Sequence, residues 1–579
     1  MRWERTAGFV ACVGWIVGVG CGGGPGSAAP ASSSAASETR DARPAEVARL
    51  DTLLENAWTN AGISPAEGVD DATFLRRAKL DLAGVIPTPA ELAELAADTS
   101  EERRAHALDR ILASKEHALH VARLWEDRLL GPEVKNRVVD RGAFRRWLAR
   151  KIEADEGWDA IVRELVGASG RSSVGGRGER EDAELDEGVN GATNFFVRYA
   201  KSPQDAAGQT ARALLGVQIQ CAECHDHKTE AWKRDDFRAF ASIFTRVKLE
   251  PNGSKEKGAL KVFDVASTKR PARRFAKRGS PDVEAIAETA PRALDGTDLS
   301  SADDTRAALG AWMTSPENPW FSRAIVNRVW AELVGRGLVE PVDDLAASNP
   351  PILPEVLDAL AEEFEGHGFD LDWLYRTIAL SRAYDRGLGG AADSRAALFS
   401  SAELRALSSD QLLDSICAAT DIAARDPEAF ASRIERVRRR MSFVFAEDSE
   451  SNGGDYEGTL QQALFLMNGQ LVSAATAYTD DSALAKLAAS SDADSEVIAA
   501  IFERTLGRAP TVEEADAALA LVNGEDANAS SGKRPKRKNA GKKRGALGVG
   551  RSDADEARER GFEDLLWVLV NSSEFSFRR

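Results

Sequence analysis

The sequence predicts a mainly α-helical protein of two multi-helical modules joined by a small irregular or β-containing connector. Apolar residues recur at helical spacing along most of the chain, beginning with the segment 46–61. Thr88 and Thr511 mark helix starts, because each is followed three residues later by a glutamate that completes a capping box. Strand-like patterns are weak and are confined to residues 250–290. These observations favour a helical fold with little sheet.

The predicted elements group into two modules. Helical spacing predicts helices at 46–61, 74–80, from 88 onward, 103–112, 118–130, 144–166, 203–215, 232–244, 305–313, 321–334, 353–366, 371–381, 407–419, 428–439, 461–479, 495–506, from 511 onward and 562–571. The short apolar stretch 194–199 is predicted to be extended, and periodicity is lost between 250 and 290. We therefore place one helical module at 45–250, the connector at 251–299 and a second module at 300–579.

The composition excludes several classes of protein. The 579 residues are enough for several hydrophobic cores, and the apolar (43%) and charged (29%) fractions are ordinary for a soluble globular protein. The net charge of −17 argues against nucleic acid as a partner. Five cysteines in this length exclude a disulfide-dense scaffold. The basic run 533–538 lies in the low-complexity stretch 524–554, which we predict to be a disordered, solvated insert.

The N-terminal residues predict export from the cytoplasm. Residues 1–21 combine a basic start with an apolar run that is too short to span a bilayer, which is typical of a signal peptide. This run ends in small residues before Cys21 and resembles a bacterial lipoprotein box, so Cys21 is the expected lipid anchor. Ordinary secretion or an uncleaved anchor is the alternative. Residues 22–44 are predicted to form a flexible tether. We expect a membrane-anchored lipoprotein in the periplasm or on the outer surface.

One stretch of the chain has the pattern of a cofactor site. Cys221 and Cys224 are three residues apart, and His225 follows directly. This is the spacing of c-type haem attachment, in which each thiol forms a thioether with a haem vinyl group and the imidazole binds the iron as an axial ligand. The sequence therefore predicts one haem c. Candidates for the opposite axial ligand are Met313, Met441, Met467, His117, His120 and His367.

Two other interpretations of this stretch stay open. Together with His227, the same three residues offer two sulfurs and two nitrogens, which is the composition of a structural zinc site, although their close spacing strains a tetrahedron. Alternatively, Cys221 and Cys224 form a disulfide, because the expected compartment is oxidising. In both cases the protein would be a non-redox binding or scaffold protein. Cys417, in an apolar helix, is expected to be a buried free thiol.

The surroundings of the stretch give further expectations. Trp232, Phe237 and Phe240 are predicted to form an apolar wall beside a haem. The acidic pair 343–344 is expected to cap a helix or face solvent, and the helical residues 327–330 are expected at a domain interface. The sequence has no phosphate-binding glycine loop, no Gly-x-Ser-x-Gly and no His-Glu-x-x-His. We therefore assign no catalytic residue and leave enzymatic activity open.

Several motifs, in a fixed order, resemble a known pair of domains. Residues 74–89 resemble the opening signature, and Gln220 to His227 the closing Cys-x-x-Cys-His segment, of a secreted planctomycete cytochrome-like domain of unknown function (PSCyt type). Further motifs resemble the partner domain of unknown function (PSD type) that usually follows. They are Asn318-Pro319, Asn327-Arg328-Val329-Trp330, Gly335-Arg336-Gly337-Leu338-Val339, Asp343-Asp344, 462–468 and 504–508. The resemblance implies secretion and a cytochrome-like protein, and it implies no established activity.

The combined expectation is an extracytoplasmic lipoprotein with a single c-type haem that serves electron transfer or redox sensing. Its partners would be the membrane, through the lipid anchor, and a redox protein or a co-encoded extracellular hydrolase. Nucleic acid is not an expected partner.

Overall fold

The computed structural model describes residues 44–131, 139–173, 187–226, 230–252, 262–272, 275, 281–389, 398–445, 460–524 and 553–578. Over these residues the protein is mainly α-helical, as the sequence predicts. The predicted lipid anchor Cys21, the signal peptide, His227 and nearly all of the basic insert lie outside the described residues. In the described part of the chain, no helix is both long and apolar enough to cross a membrane.

The region before residue 250 is a set of packed helices. They are α1 (Ala45–Ala61), α2 (Asp71–Ala83), α3 (Pro89–Ala97), α4 (Arg103–Leu112), α5 (Lys115–Leu130), α6 (Arg141–Glu153), α7 (Trp158–Gly167), α8 (Asn194–Arg198), α9 (Pro203–Leu215) and α10 (Arg234–Phe244), with 3-10 turns at Gly191–Thr193 and Gln220–Glu223. Local sequence explains their starts: Thr88 and Glu91 form the predicted capping box of α3, and the Asp70 side chain caps α2.

Helices also dominate the rest of the chain. They are α11 (Pro281–Glu288), α12 (Thr305–Met313), α13 (Phe321–Val334), α14 (Pro354–Gly366), α15 (Leu371–Leu380), α16 (Ser409–Thr420), α17 (Ile422–Arg425), α18 (Pro427–Val444), α19 (Leu460–Asn468), α20 (Gln470–Ala475), α21 (Ala483–Ser490), α22 (Asp494–Leu506), α23 (Val512–Val522), α24 (Asp553–Val570) and α25 (Ser573–Ser576). The second predicted capping box is present at the start of α23, where Thr511 and Glu514 bond each other's backbone N–H groups.

Three local predictions were wrong in part or in full. The predicted helices 144–166 and 461–479 are each divided in two, into α6 and α7 and into α19 and α20, and the stretch 194–199 is not extended. Residues 194–199, predicted to be extended, form helix α8 and the residue after it. Asn190 accepts a hydrogen bond from the Ala192 N–H and starts a 3-10 turn, which continues directly into α8. All four residues from Asn194 to Val197 are buried. A short helix that is buried on every side has no amphipathic period, so its apolar run resembles a buried strand.

The sheets are small, as predicted. Strands β1 (Gly170–Arg171), β2 (Val247–Asn252) and β3 (Val262–Ser267) form an antiparallel sheet in the order β1-β3-β2. Strand β4 (Arg405–Ala406) pairs antiparallel with β5 (Phe577–Arg578), which holds the end of the chain against its middle. The β2–β3 pair lies at the start of the predicted connector, and α11 follows it.

Two large hydrophobic cores organise most of the described helices, and a small third cluster forms around Phe275 and α11. The first draws on residues 50–399, so it combines the region before residue 250 with helices α12 to α15. The second draws mainly on residues 407–575, and it also includes Leu80 and Ile86 from the first region. The predicted start of the second module at residue 300 therefore does not coincide with a boundary between the two hydrophobic cores.

Helix α2 lies between the two cores. Leu80 belongs to the second core and Leu82 to the first. Two residues apart on an α-helix are separated by about 200° of rotation, so these leucines face opposite sides. Arg76 also reaches the second side, where its Nη1 donates to the Thr505 carbonyl (3.0 Å). The helix thus contributes to both cores.

A buried carboxylate on α2 joins distant parts of the chain. Asp81 Oδ2 accepts hydrogen bonds from Tyr384 Oη (2.8 Å) and Arg578 Nε (2.7 Å). Arg405 Nη2 lies 3.3 Å from Asp81 Oδ1. Arg578 also donates to the carbonyl of Leu333. The C-terminal strand, the first core and α2 therefore meet at one charged group, which is stable only while its partners are present.

Candidate functional site

The Cys-x-x-Cys-His stretch leaves helix α9 through a sharp turn. Gly216 has a φ of +64°, in the left-handed region, and a Cβ there would lie 3.0 Å from Leu345 Cδ1. Both observations explain the glycine. Val217 and Ile219 are buried beyond it, and the chain then returns to the surface at Cys221.

The predicted ligands lie in and directly after a 3-10 turn, Gln220–Glu223. Ala222 is fully buried, and its N–H donates to the carbonyl three residues before it (3.0 Å). Cys221 and Cys224, on either side of this anchor, are exposed free thiols. His225 is exposed as well. Because cysteine is among the most often buried residue types, two exposed thiols on one turn are not explained by packing.

The imidazole of His225 is oriented by its neighbour. Its Nδ1 lies 2.8 Å from the backbone carbonyl of Asp226. A carbonyl oxygen only accepts hydrogen bonds, so Nδ1 carries a proton, and in the neutral ring Nε2 keeps its lone pair. This is the tautomer that an Nε2 ligand of haem iron or zinc requires. The donor set of the turn therefore fits the attachment of a haem.

The chain after His225 is fixed at the start of helix α10. Asp226 Oδ1 accepts the Arg234 N–H (2.9 Å), and Asp236 Oδ2 accepts the Lys233 N–H (3.0 Å). Negative charge is favoured at a helix N-terminus, where backbone N–H groups lack helical partners. The Asp226 carboxylate thus ties the end of the stretch to the start of α10, which Asp236 caps.

The zinc interpretation involves a residue that the structure does not describe. Among the described residues, no three His, Cys, Asp or Glu side chains are grouped closely enough to hold a metal ion. The predicted zinc site adds His227 to Cys221, Cys224 and His225, and His227 lies outside the described residues. The four-ligand site stays a prediction.

Three half-buried tryptophans follow the Cys-x-x-Cys-His stretch in the chain. The ring centroids of Trp232 and Trp320 are 6.0 Å apart, and those of Trp320 and Trp312 are 6.3 Å apart. Phe237 and Phe240, expected beside a haem, are instead buried in the first core. They lie on helix α10, which packs against α9. Of the predicted apolar wall, only Trp232 is partly accessible.

The turn lies in a negatively charged environment. Burial raises the pKa of Glu223, and the negative charges of Asp205 and Asp282 raise it further. Arg234 Nη2 lies 3.5 Å from Asp282 Oδ1 and offsets part of this charge.

Four candidates for the opposite axial ligand lie in the interior. His117 is 1% exposed, and its Nδ1 and Nε2 lie 2.8 Å from a backbone carbonyl and 3.1 Å from Asp372 Oδ1. His120 is buried, and burial lowers its pKa to about 3. Met313 and Met441 are fully buried in the first and second cores. None of these four is presented on the exposed surface that carries the cysteine pair.

Two further residues have local roles. The ring of His367 stacks on Trp373, with centroids 4.2 Å apart. Cys417 is a half-buried free thiol, and burial raises its pKa to about 12. A thiol with a raised pKa holds little reactive thiolate. Cys417 is therefore an unreactive free thiol, and it is half-buried where the sequence predicts a buried one.

The contacts that the second half of the chain makes near the Cys-x-x-Cys-His stretch could not be predicted from the sequence. Asp343, expected to cap a helix or face solvent, is buried and accepts hydrogen bonds from Gln218 Nε2 (3.0 Å) and Arg212 Nε. Arg328 donates to the Arg212 carbonyl (3.3 Å), so it lies at the interface where residues 327–330 are expected. The only sequence signal for Asp343 is its position in a resembled motif.

The fold and the site define a mainly α-helical two-domain protein with an exposed Cys-x-x-Cys-His turn. Residues 49–249 match PSCyt2, described as a protein of unknown function (DUF1549), and residues 305–429 match PSD1, described as a protein of unknown function (DUF1553). Two regions of the chain thus match these two families, in the order that its motifs indicate. No curated protein and no solved structure matches the chain. We call the two matched regions the PSCyt2 domain and the PSD1 domain.

Proposed function

We propose that the protein is an extracytoplasmic, membrane-anchored lipoprotein that carries one covalently attached c-type haem for electron transfer or redox sensing. One observation supports the haem more than any other. A single turn, anchored by buried Ala222, presents two exposed thiols at the attachment spacing. The neighbouring His225 keeps Nε2 available, because its Nδ1 is engaged by a carbonyl.

Each residue of the turn has a separate role in this proposal. Cys221 and Cys224 would form the two thioether bonds, and His225 Nε2 would bind the iron. When bound, haem supplies a one-electron redox couple. The Asp226 carbonyl holds the Nδ1 proton of His225, which keeps the ring oriented and makes Nε2 a stronger ligand. When ionised, Glu223 would favour the more positively charged, oxidised form of a bound iron.

The membrane anchor rests on the sequence. Cys21 would carry the lipid, and residues 22–44 would form the tether that leads to α1. A flexible tether of this length spans on the order of 27 Å on average, so the site would stay near the membrane surface. A redox protein or an extracellular hydrolase held at the same membrane is therefore the partner class that we propose.

A non-redox binding or scaffold protein is the second candidate. It is supported by the free state of both thiols, which leaves them available to a metal or to each other. Cys221, Cys224, His225 and His227 would then hold a structural zinc ion, or the two cysteines would form a disulfide. In either case the turn would stabilise the PSCyt2 domain rather than carry electrons.

Production in a bacterial host with and without the c-type haem-attachment machinery separates the two candidates. We expect a Soret band only with the machinery, and we expect the denatured chain to retain the mass of haem. The Cys221→Ser/Cys224→Ser double variant, made in the same host, is the control that should lack both signals. Colourless wild-type protein of unmodified mass would overturn the haem proposal, and stoichiometric zinc in it would support the scaffold.

The lipid anchor is tested separately by Cys21→Ala. We expect the wild-type chain to fractionate with membranes and the variant to be released, because the variant lacks the acceptor for the lipid. Release of the wild-type chain by salt alone would contradict a covalent anchor.

A further inference from the structure

A loop of the PSD1 domain contacts the chain just before the Cys-x-x-Cys-His turn. The loop, residues 335–349, follows helix α13. Its Leu345 N–H donates to the Gly216 carbonyl (2.7 Å), and its Asp343 Oδ1 accepts a hydrogen bond from Gln218 Nε2 (3.0 Å). Both contacts lie within five residues of the first cysteine. The approach to the turn is therefore held from outside the PSCyt2 domain.

The same loop also contacts helix α9 and the chain after the turn. Asp343 accepts a second hydrogen bond from Arg212 Nε on α9, and Arg328 donates to the Arg212 carbonyl (3.3 Å). After the turn, Ser348 Oγ donates to Glu230 Oε1. The turn with the two cysteines thus lies between two points of contact with the PSD1 domain.

A buried asparagine holds this loop in one conformation. Asn327 is fully buried on α13; its Oδ1 accepts the Val339 N–H (2.9 Å), and its Nδ2 donates to the carbonyls of Val339 (3.0 Å) and Val342 (3.1 Å). A Cβ at Gly337 would lie 2.4 Å from the Val339 carbonyl oxygen and 2.9 Å from Asn327 Oδ1. The loop 335–349 is therefore held in place at Val339 and Val342, where Asn327 pairs with its backbone.

We propose that Asp343 is a positioning residue for the Cys-x-x-Cys-His turn, so that the PSD1 domain forms part of a site on the PSCyt2 domain. Between α9 and α10, the described chain has one 3-10 turn as its regular structure. Ligands on such a loop keep a defined geometry only if neighbouring groups fix them. The buried Asp343 carboxylate does so through a neutral donor, Gln218, and a cationic one, Arg212, and charge-assisted bonds are the stronger kind. Asp343 would have this role whichever group the turn binds.

Hydrogen exchange of the full-length protein tests the proposal without requiring haem. Asp343→Ala should speed exchange in the peptide 214–226 by about tenfold, because it removes two hydrogen bonds to a carboxylate. Helices of the second core should exchange as in the wild type. Asp343→Asn keeps an acceptor for Gln218 and should restore part of the protection. Asp358→Ala, which removes an exposed partner of Arg323 in the same domain, should leave peptide 214–226 unchanged.

A second variant covers the case in which Asp343→Ala fails to fold. Gln218→Ala removes only the contact to the turn and should speed exchange in the same peptide. Unchanged exchange over 214–226 in a folded variant, or an equal rise throughout the chain, would overturn the proposal. In protein that carries haem, the midpoint potential should shift in Asp343→Ala and not in Asp358→Ala, and equal potentials would contradict it. Absence of haem would refute the proposed function and would leave the exchange test intact.

Discussion

Asp81 and the pair Cys221 and Cys224 lie in the same PSCyt2 domain, and their surroundings are opposite. Asp81 is buried, and its carboxylate is bonded to Tyr384 and Arg578 where the two cores meet. The two cysteines are exposed free thiols. The signature around Asp81 is explained by packing and charge pairing, whereas packing explains only the alanine between the cysteines. A motif that packing does not require is the better candidate for chemistry.

The largest effect that we expect is the loss of stability in Asp81→Ala. The change leaves the buried guanidinium group of Arg578 and the half-buried one of Arg405 without this carboxylate. Removing one partner of a buried ion pair typically costs about 3–5 kcal/mol of unfolding free energy. Urea unfolding and calorimetry of the full chain measure this cost. Asp358→Ala, which removes an exposed ion pair with Arg323, should cost less than about 1 kcal/mol. Equal losses in the two variants would show that Asp81 does not join the cores.

The next effect concerns pH and His120. Burial lowers the pKa of His120 from 6.5 to about 3. The unfolded chain therefore binds a proton at a higher pH than the folded one, so this contribution to stability is complete above pH 6.5 and is lost as pH falls towards 3. The slope for one group is at most about 1.4 kcal/mol per pH unit. Between pH 6.5 and 4, the His120→Gln variant should lose less unfolding free energy than the wild type. Urea midpoints at each pH measure this loss. Parallel curves would contradict a buried neutral imidazole.

A smaller change in stability is expected when the thiols are removed. In a host without the haem-attachment machinery, Cys221→Ser/Cys224→Ser should alter the unfolding free energy by less than about 0.5 kcal/mol, because both side chains are exposed. Ala222→Leu, at the buried position between them, should cost about 1–3 kcal/mol through overpacking. If the double serine variant is the less stable of the two, the cysteines have a structural role, as Asp81 does.

The smallest effect on haem content is expected at His227. His227→Ala should leave covalent haem at the wild-type level, because attachment uses Cys221, Cys224 and His225. Absorbance and the mass of the denatured chain measure the haem, and elemental analysis measures zinc. A variant that loses stoichiometric zinc, made from a colourless wild type, would favour the four-ligand metal site instead.

Local signals made much of the fold predictable. The capping boxes at Thr88 and Thr511 depend on residues three apart, and both are present. Helical spacing also depends on residues only three or four positions apart, so it indicated the mainly α-helical class. Residues 194–199 were mistaken for an extended segment, because a helix buried on all sides shows no apolar period.

Contacts between distant residues could not be predicted. Asp81 and Arg578 are separated by 497 positions, and Asp343 and Gln218 by 125. A single sequence has no local pattern that pairs such residues. The residue types of the candidate site were visible, since they are contiguous, but the burial of Phe237 and Phe240 and the orientation of His225 depend on tertiary packing.

Peptide mapping is the most direct test of a covalent haem on the exposed cysteines. The chain is produced with the haem-attachment machinery, denatured, treated with iodoacetamide and digested. We expect the peptide with Cys221 and Cys224 to have the mass of one haem and no alkyl group, while the Cys417 peptide is alkylated. Alkyl groups on both Cys221 and Cys224, with no haem mass, would contradict a covalent haem.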